Sequence, residues 1–169
     1  MPALAIPIEL ARAAGCAVTS VLYPGDPWPD WRRAETGDWG EVTDALAPQI
    51  GPAVRGADDV VVIAKSMGTA VFPGVRPLLP PQGRAIWVTP LFGRADVRAA
   101  VIESGWRCLS VFGTADSMHD PIAQAAVTAA LTGTELGIEG ANHALVVEGD
   151  DNATQIGLDA LRAAVAAFI

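Results

Sequence analysis

Asp59-Val60-Val61-Val62-Ile63-Ala64-Lys65-Ser66-Met67-Gly68-Thr69 begins with four consecutive β-branched residues after its aspartate and closes on small and polar ones. An unbroken apolar run of this length, without alternation, predicts a strand over 59–64 that is buried on both faces. The residues that follow turn out of it into a helix. The same pattern recurs outward along the chain. Residues 85–89, 107–112 and 134–138 read as further strands, and 18–23 reads as an earlier one, closed by the turn cluster Pro24-Gly25-Asp26-Pro27. Helices are expected between them at 94–104 and 118–131. Val42, Leu46, Ile50 and Val54 recur every fourth residue and define one helix face, which Pro48 should kink or split. A last helix starts near Asp150 and is expected to bury Leu158, Leu161, Val165 and Phe168.

Strands separated by helices of this length require parallel crossovers, with helices covering both faces of the sheet. The expectation is therefore an α/β fold, a three-layer α/β/α arrangement around a mostly parallel sheet. The 169 residues suit a single domain spanning 1–169, and no repeat or linker divides them. Eleven Lys and Arg against nineteen Asp and Glu leave a net charge of −8, which argues against a nucleic-acid surface. No apolar run reaches membrane-spanning length, and the start of the chain lacks a signal-peptide pattern. Cys16 and Cys108 show neither pairing nor metal-ligand spacing, so both are expected as buried thiols in a reducing, cytoplasmic compartment. No metal or cofactor is implied, since neither ligand spacing nor a phosphate loop occurs.

In such folds chemistry sits where strands end, so the residues after each strand carry the functional reading. After 59–64 comes Ala64-Lys65-Ser66-Met67-Gly68, a nucleophile-elbow pattern with Ala for the usual first Gly. Small residues two before and two after the serine let strand and helix backbones approach closely. After 107–112 comes Gly113-Thr114-Ala115-Asp116, and after 134–138 comes Glu139-Gly140-Ala141-Asn142-His143. The chain order Ser, Asp, His resembles that of the α/β-hydrolase superfamily, specifically its small dienelactone-hydrolase-like members. The resemblance implies a minimal or N-terminally truncated α/β-hydrolase fold and a cofactor-free serine hydrolase. It would cleave an ester, thioester or related acyl bond of a small-molecule substrate.

The roles implied are Ser66 as nucleophile, His143 as base and Asp116 as its orienting carboxylate. The backbone N–H of Met67 would donate to the oxyanion and gain from the helix dipole. Each has a rival reading. Ser66 could be an ordinary helix N-cap. Asp120 and Glu139 compete with Asp116, although Asp120 before Pro121 suits a helix cap. His119 shares the Asp116 loop and reads as a solvated side chain, because His143 fills the expected place. Lys65, the single lysine, is expected on the surface near the site mouth. Trp28, Trp31 and Trp39 could line a pocket or equally staple a loop to the body, and Thr89-Pro90-Leu91-Phe92 could wall a cleft.

Two other classes compete with the enzyme. One is a catalytically impaired hydrolase-like domain serving as a binding or assembly module. The other, a flavodoxin-like domain, is disfavoured by the lack of a phosphate loop after the first strand. The hydrolases it resembles place three strands before the first helix, and the loop after the third supplies a second oxyanion donor. Here the first helix, over 7–14, starts almost at Met1. Unpaired backbone along the strands at 18–23 and 59–64 is the expected result. The gap could be closed by the strands meeting, by another chain as in a homo-oligomer, or by a natural polypeptide that begins earlier. The last is the favoured expectation, which makes this chain alone a poor or inactive esterase.

Overall fold

Trp87 and Ala85 face one side of the central sheet and Ile86 and Val88 face the other, and all four are buried. Because strand side chains alternate between faces, both faces must be covered, which is the three-layer arrangement. The structure, a computed structural model, describes residues 2–23, 39–131 and 133–169. Its strands are β1 (Val61–Lys65), β2 (Arg84–Val88), β3 (Arg107–Gly113) and β4 (Gly133–Ile138). They pair in that order, every pair parallel, as a four-stranded sheet.

The helices are α1 (Pro2–Ala13), α2 (Gly40–Val54), α3 (Met67–Ala70), α4 (Phe72–Val75), α5 (Ala95–Ser104), α6 (Pro121–Ala130) and α7 (Asp151–Phe168). A 3₁₀ turn, Arg76–Leu78, follows α4. Helices α2, α4, α5 and α6 supply the core on the Trp87 face, where Phe72 meets Trp87 edge-on at 4.8 Å. Helices α1 and α7 close the opposite face over Ile86, Val88, Leu109 and Val111.

Local chemistry explains the helix limits. Helix α1 ends in a Schellman motif: Gly15 takes φ +86°, its N–H donates to Arg12 O, and Cys16 N–H donates to Ala11 O. It begins at Pro2, earlier than the expected 7–14, so Pro7 lies inside it. Burial of Ala3, Ile6 and Ala11 offsets the backbone bond that Pro7 cannot donate. Helix α2 runs unbroken through Pro48 and Pro52, so the chain is not split at Pro48. Both prolines lie on its exposed side, where water can take the carbonyls they leave free, while Val42, Leu46 and Ile50 face the core. Asp120 caps α6 by accepting from Ile122 and Ala123 N–H, and Asp150 caps α7 by accepting from Ala153 N–H.

Three further expectations need correction. Residues 18–23 form no strand, and Leu22 is exposed. The Gln49 side chain accepts from Leu22 N–H at 2.9 Å and donates to Leu22 O at 2.7 Å, an amide standing where a strand partner would be. β-propensity is realised only against a neighbouring strand, and β1 pairs with β2 alone among the described residues. Within α7, Leu158 is only half-buried, and its place in the packed stripe goes to Gly157. A Cβ at Gly157 would stand 2.5 Å from Ile138 Cγ2. Cys16 is exposed, contrary to expectation, because the chain leaves α1 there; Cys108 is buried in β3.

Candidate active site

Ser66 follows the last residue of β1 and adopts φ +50°, ψ −115°, a conformation that non-glycine residues rarely hold. Such a residue costs on the order of 1–3 kcal/mol and persists only where its surroundings over-determine it. The surroundings are visible. Ser66 N–H donates to Val88 O at 3.0 Å, extending the β1–β2 ladder one residue beyond the strand. Thr69, fully buried, donates its hydroxyl to Ser66 O at 2.6 Å and accepts from Leu91 N–H at 3.1 Å. A methyl at Gly68 would rest 3.5 Å from Ala64 Cβ, so the two small positions flanking Ser66 do stack together.

Asp116 and His143 come from the loops after β3 and β4, which interlock. Thr114 Oγ1 accepts from Gly140 N–H at 2.8 Å, and Ala115 N–H donates to Ala141 O at 3.0 Å. The second loop lies so close to Gly113 that a Cβ there would stand 2.1 Å from Ala141 O. Asn142 shapes that loop: its Oδ1 accepts from Ala144 N–H at 2.9 Å and its Nδ2 donates to Glu148 at 3.1 Å.

The three side chains meet. His143 Nε2 lies 2.7 Å from Ser66 Oγ, and Nδ1 lies 2.7 Å from Asp116 Oδ2. Asp116 Oδ1 accepts from Met118 N–H at 2.8 Å, so both oxygens of this buried carboxylate are engaged. An ionised carboxylate can only accept, which assigns the ring proton to Nδ1 and leaves Nε2 to accept from the serine hydroxyl. The imidazole side chain is 31% exposed against 2% for the carboxylate, so the proton-accepting nitrogen is reachable while its anchor is dry. An imidazole held in this way can take a proton from the hydroxyl and return it.

The rivals fall elsewhere. His119 stacks on Phe112, ring centroids 4.1 Å apart, and Asp120 is committed to capping α6. Glu139 is exposed. Met67 occupies the first position of α3, where an N–H has no intrahelical acceptor. That helix is only four residues long, however, so the expected dipole contribution shrinks to that of a single turn. Thr89, Leu91 and Phe92 are buried under the site instead of walling an open cleft. Trp39 packs on Gly74 beneath the Arg94 guanidinium, as a staple would; Trp28 and Trp31 lie outside the described residues.

Lys65 departs most from expectation. Its ammonium is half-buried and donates to Thr89 Oγ1 and to the backbone carbonyl of His143, each at 2.9 Å. Burial holds its pKa below the usual value, while the negative charge of Asp116 pulls the other way. Neither Lys65 nor Thr69 was identifiable from spacing, since their partners lie on distant segments. Among the described residues, no cluster of His, Cys, Asp and Glu could hold a metal ion, and no helix is long and apolar enough to cross a membrane. No protein-family model matches the chain, and no curated protein does.

Proposed function

We propose that this chain is a serine hydrolase of the α/β-hydrolase type, acting on an ester, thioester or related acyl bond of a small molecule. The observation that carries this reading is the double contact of His143, 2.7 Å from Ser66 Oγ on one side and 2.7 Å from Asp116 on the other. Ser66 Oγ attacks the acyl carbon as His143 Nε2 takes its proton, and the developing oxyanion accepts from Met67 N–H. His143 then gives the proton to the leaving group, and the acyl group stays on Ser66. Water, deprotonated by the same nitrogen, releases the acid and restores the serine. Asp116 keeps the imidazole in the required tautomer and stabilises its cation. The acidic net charge and the two free thiols support a cytoplasmic enzyme that does not handle nucleic acid.

A fluorophosphonate probe tests the reading: it reacts with an activated serine and not with an ordinary helix cap. Mass spectrometry should find one adduct, on Ser66, that is absent from Ser66→Ala. An unlabelled wild-type chain overturns the proposal. The second reading, a binding module without turnover, draws on the single-turn helix behind Ser66, which limits oxyanion stabilisation. Removing one oxyanion donor costs roughly two to three powers of ten in rate, so labelling that proceeds with very slow ester turnover would favour that module.

A further inference from the structure

We propose that Lys65 is a positioning residue for the acyl chemistry, its ammonium clamping the His143 carbonyl to the Thr89 hydroxyl so that the imidazole stays in reach of Ser66. The inference rests on the hydrolase reading above and adds a group which that mechanism does not use. Each contact within the Ser66–His143–Asp116 chain has its own brace. The His143 loop is tied to the β3 side, and so to Asp116, through Gly140 to Thr114 and Ala115 to Ala141. Lys65 ties the same loop to β1 and so to Ser66, its neighbour in sequence, through the 2.9 Å bond to His143 O.

Backbone strain gathers at this clamp. Ser66, Thr89 and Leu145 are the non-glycine residues with positive φ among the described residues, at 50°, 44° and 61°. Lys65 precedes the first, donates to the side chain of the second, and holds the carbonyl two residues before the third. Strained residues of this kind need surroundings that leave no alternative, and a three-donor ammonium joining three loop ends supplies such surroundings. Its location also fits: half-buried, it bonds to Thr89 Oγ1 and the His143 carbonyl, and to neither Ser66 Oγ nor the ring nitrogens. Burial disfavours its charge and the negative charge of Asp116 favours it, so its two hydrogen bonds, and not its pKa, carry the assignment.

The test compares wild type, Lys65→Met and Lys65→Arg as full chains, using the rate of fluorophosphonate labelling at Ser66. A misplacement of about 1 Å costs up to roughly a hundredfold, so Lys65→Met should label about ten- to a hundredfold more slowly. Lys65→Arg, which keeps charge and donors, should recover most of that loss. The low-field proton resonance of His143 Nδ1–H, identified in His119→Ala, should be sharp in wild type and broadened in Lys65→Met at a temperature where both chains are fully folded. If Lys65→Met fails to fold, Thr89→Val removes the other end of the clamp and should slow labelling in the same sense. Wild-type labelling rates in Lys65→Met, or in Thr89→Val where that variant stands in, overturn the positioning role while leaving the hydrolase reading intact. An unlabelled wild type overturns the hydrolase reading, and the acyl role of Lys65 with it. The His143 resonance still reports separately whether Lys65 holds the ring.

Discussion

His143 keeps its two ring nitrogens in different company, a dry carboxylate at Nδ1 and a hydroxyl at Nε2, and that asymmetry makes its removal unlike that of His119. On the hydrolase reading, His143→Ala should lower the labelling rate of Ser66 by roughly four powers of ten or more, the scale seen when a member of such a unit is lost. His119→Ala removes a ring stacked on Phe112 and should leave the rate near wild type; equal losses would show the histidines wrongly assigned. Lys65 gives a stability prediction with a definite sign. Its pKa in the folded chain lies below the usual 10.5, so between those values the unfolded chain binds more protons than the folded one. Stability carried by this group therefore rises as pH increases through that interval. Cys108, its pKa raised by burial to about 11, works in the opposite direction above pH 9 and must be cancelled by comparison. The difference in unfolding free energy between wild type and Lys65→Met, measured by denaturant at pH 7 and at pH 10, should shift in favour of wild type at the higher pH. Ser66, Asp116 and His143 were readable as residues because each follows a strand end, a position set by local sequence. Lys65 was misread because a strand-end side chain meets water or a loop according to what folds over it.

Elements carry the same division. The loops after β3 and β4 can interlock only because Gly113 has no side chain: any Cβ would stand 2.1 Å from Ala141 O and 2.7 Å from Asn142 O. These are backbone atoms and cannot rotate aside. Gly113→Ala should thus cost stability near the top of the roughly 1–3 kcal/mol typical of overpacking, and should push the His143 loop off Asp116. Denaturant unfolding with loss of the low-field His143 resonance checks both effects; a variant with native stability and an intact resonance would show that the loop has room to move. Helix α2 shows why a proline need not split a helix. Pro48 and Pro52 share the solvent side, so their lost donors break no buried bond. The strand expected at 18–23 had adequate β-propensity and lacked a partner, and the side chain of Gln49 took up the backbone groups of Leu22.

Across the whole molecule, the sheet is protected unequally. β2 and β3 are paired on both sides and their Ile86, Trp87, Leu109 and Val111 are buried, whereas β1 has one paired side among the described residues and half-exposed Val61, Val62 and Ile63. Hydrogen exchange should therefore be slowest in β2 and β3 and faster in β1, where alternate amides face away from β2. Equal protection across the strands would mean that the outer side of β1 is covered in solution. The apolar runs by themselves determined a parallel sheet between two helical layers, because a strand buried on both faces has no polar alternate positions and crossovers need helices of the observed length. They also determined that Ser66, Asp116 and His143 reach one edge of that sheet, since parallel strands end on the same side. Only the tertiary structure decided which runs became strands, where the Lys65 ammonium went, and how closely Gly113 and Ala141 approach. Those outcomes depend on contacts between residues 24 to 78 positions apart, whose energies no local pattern contains.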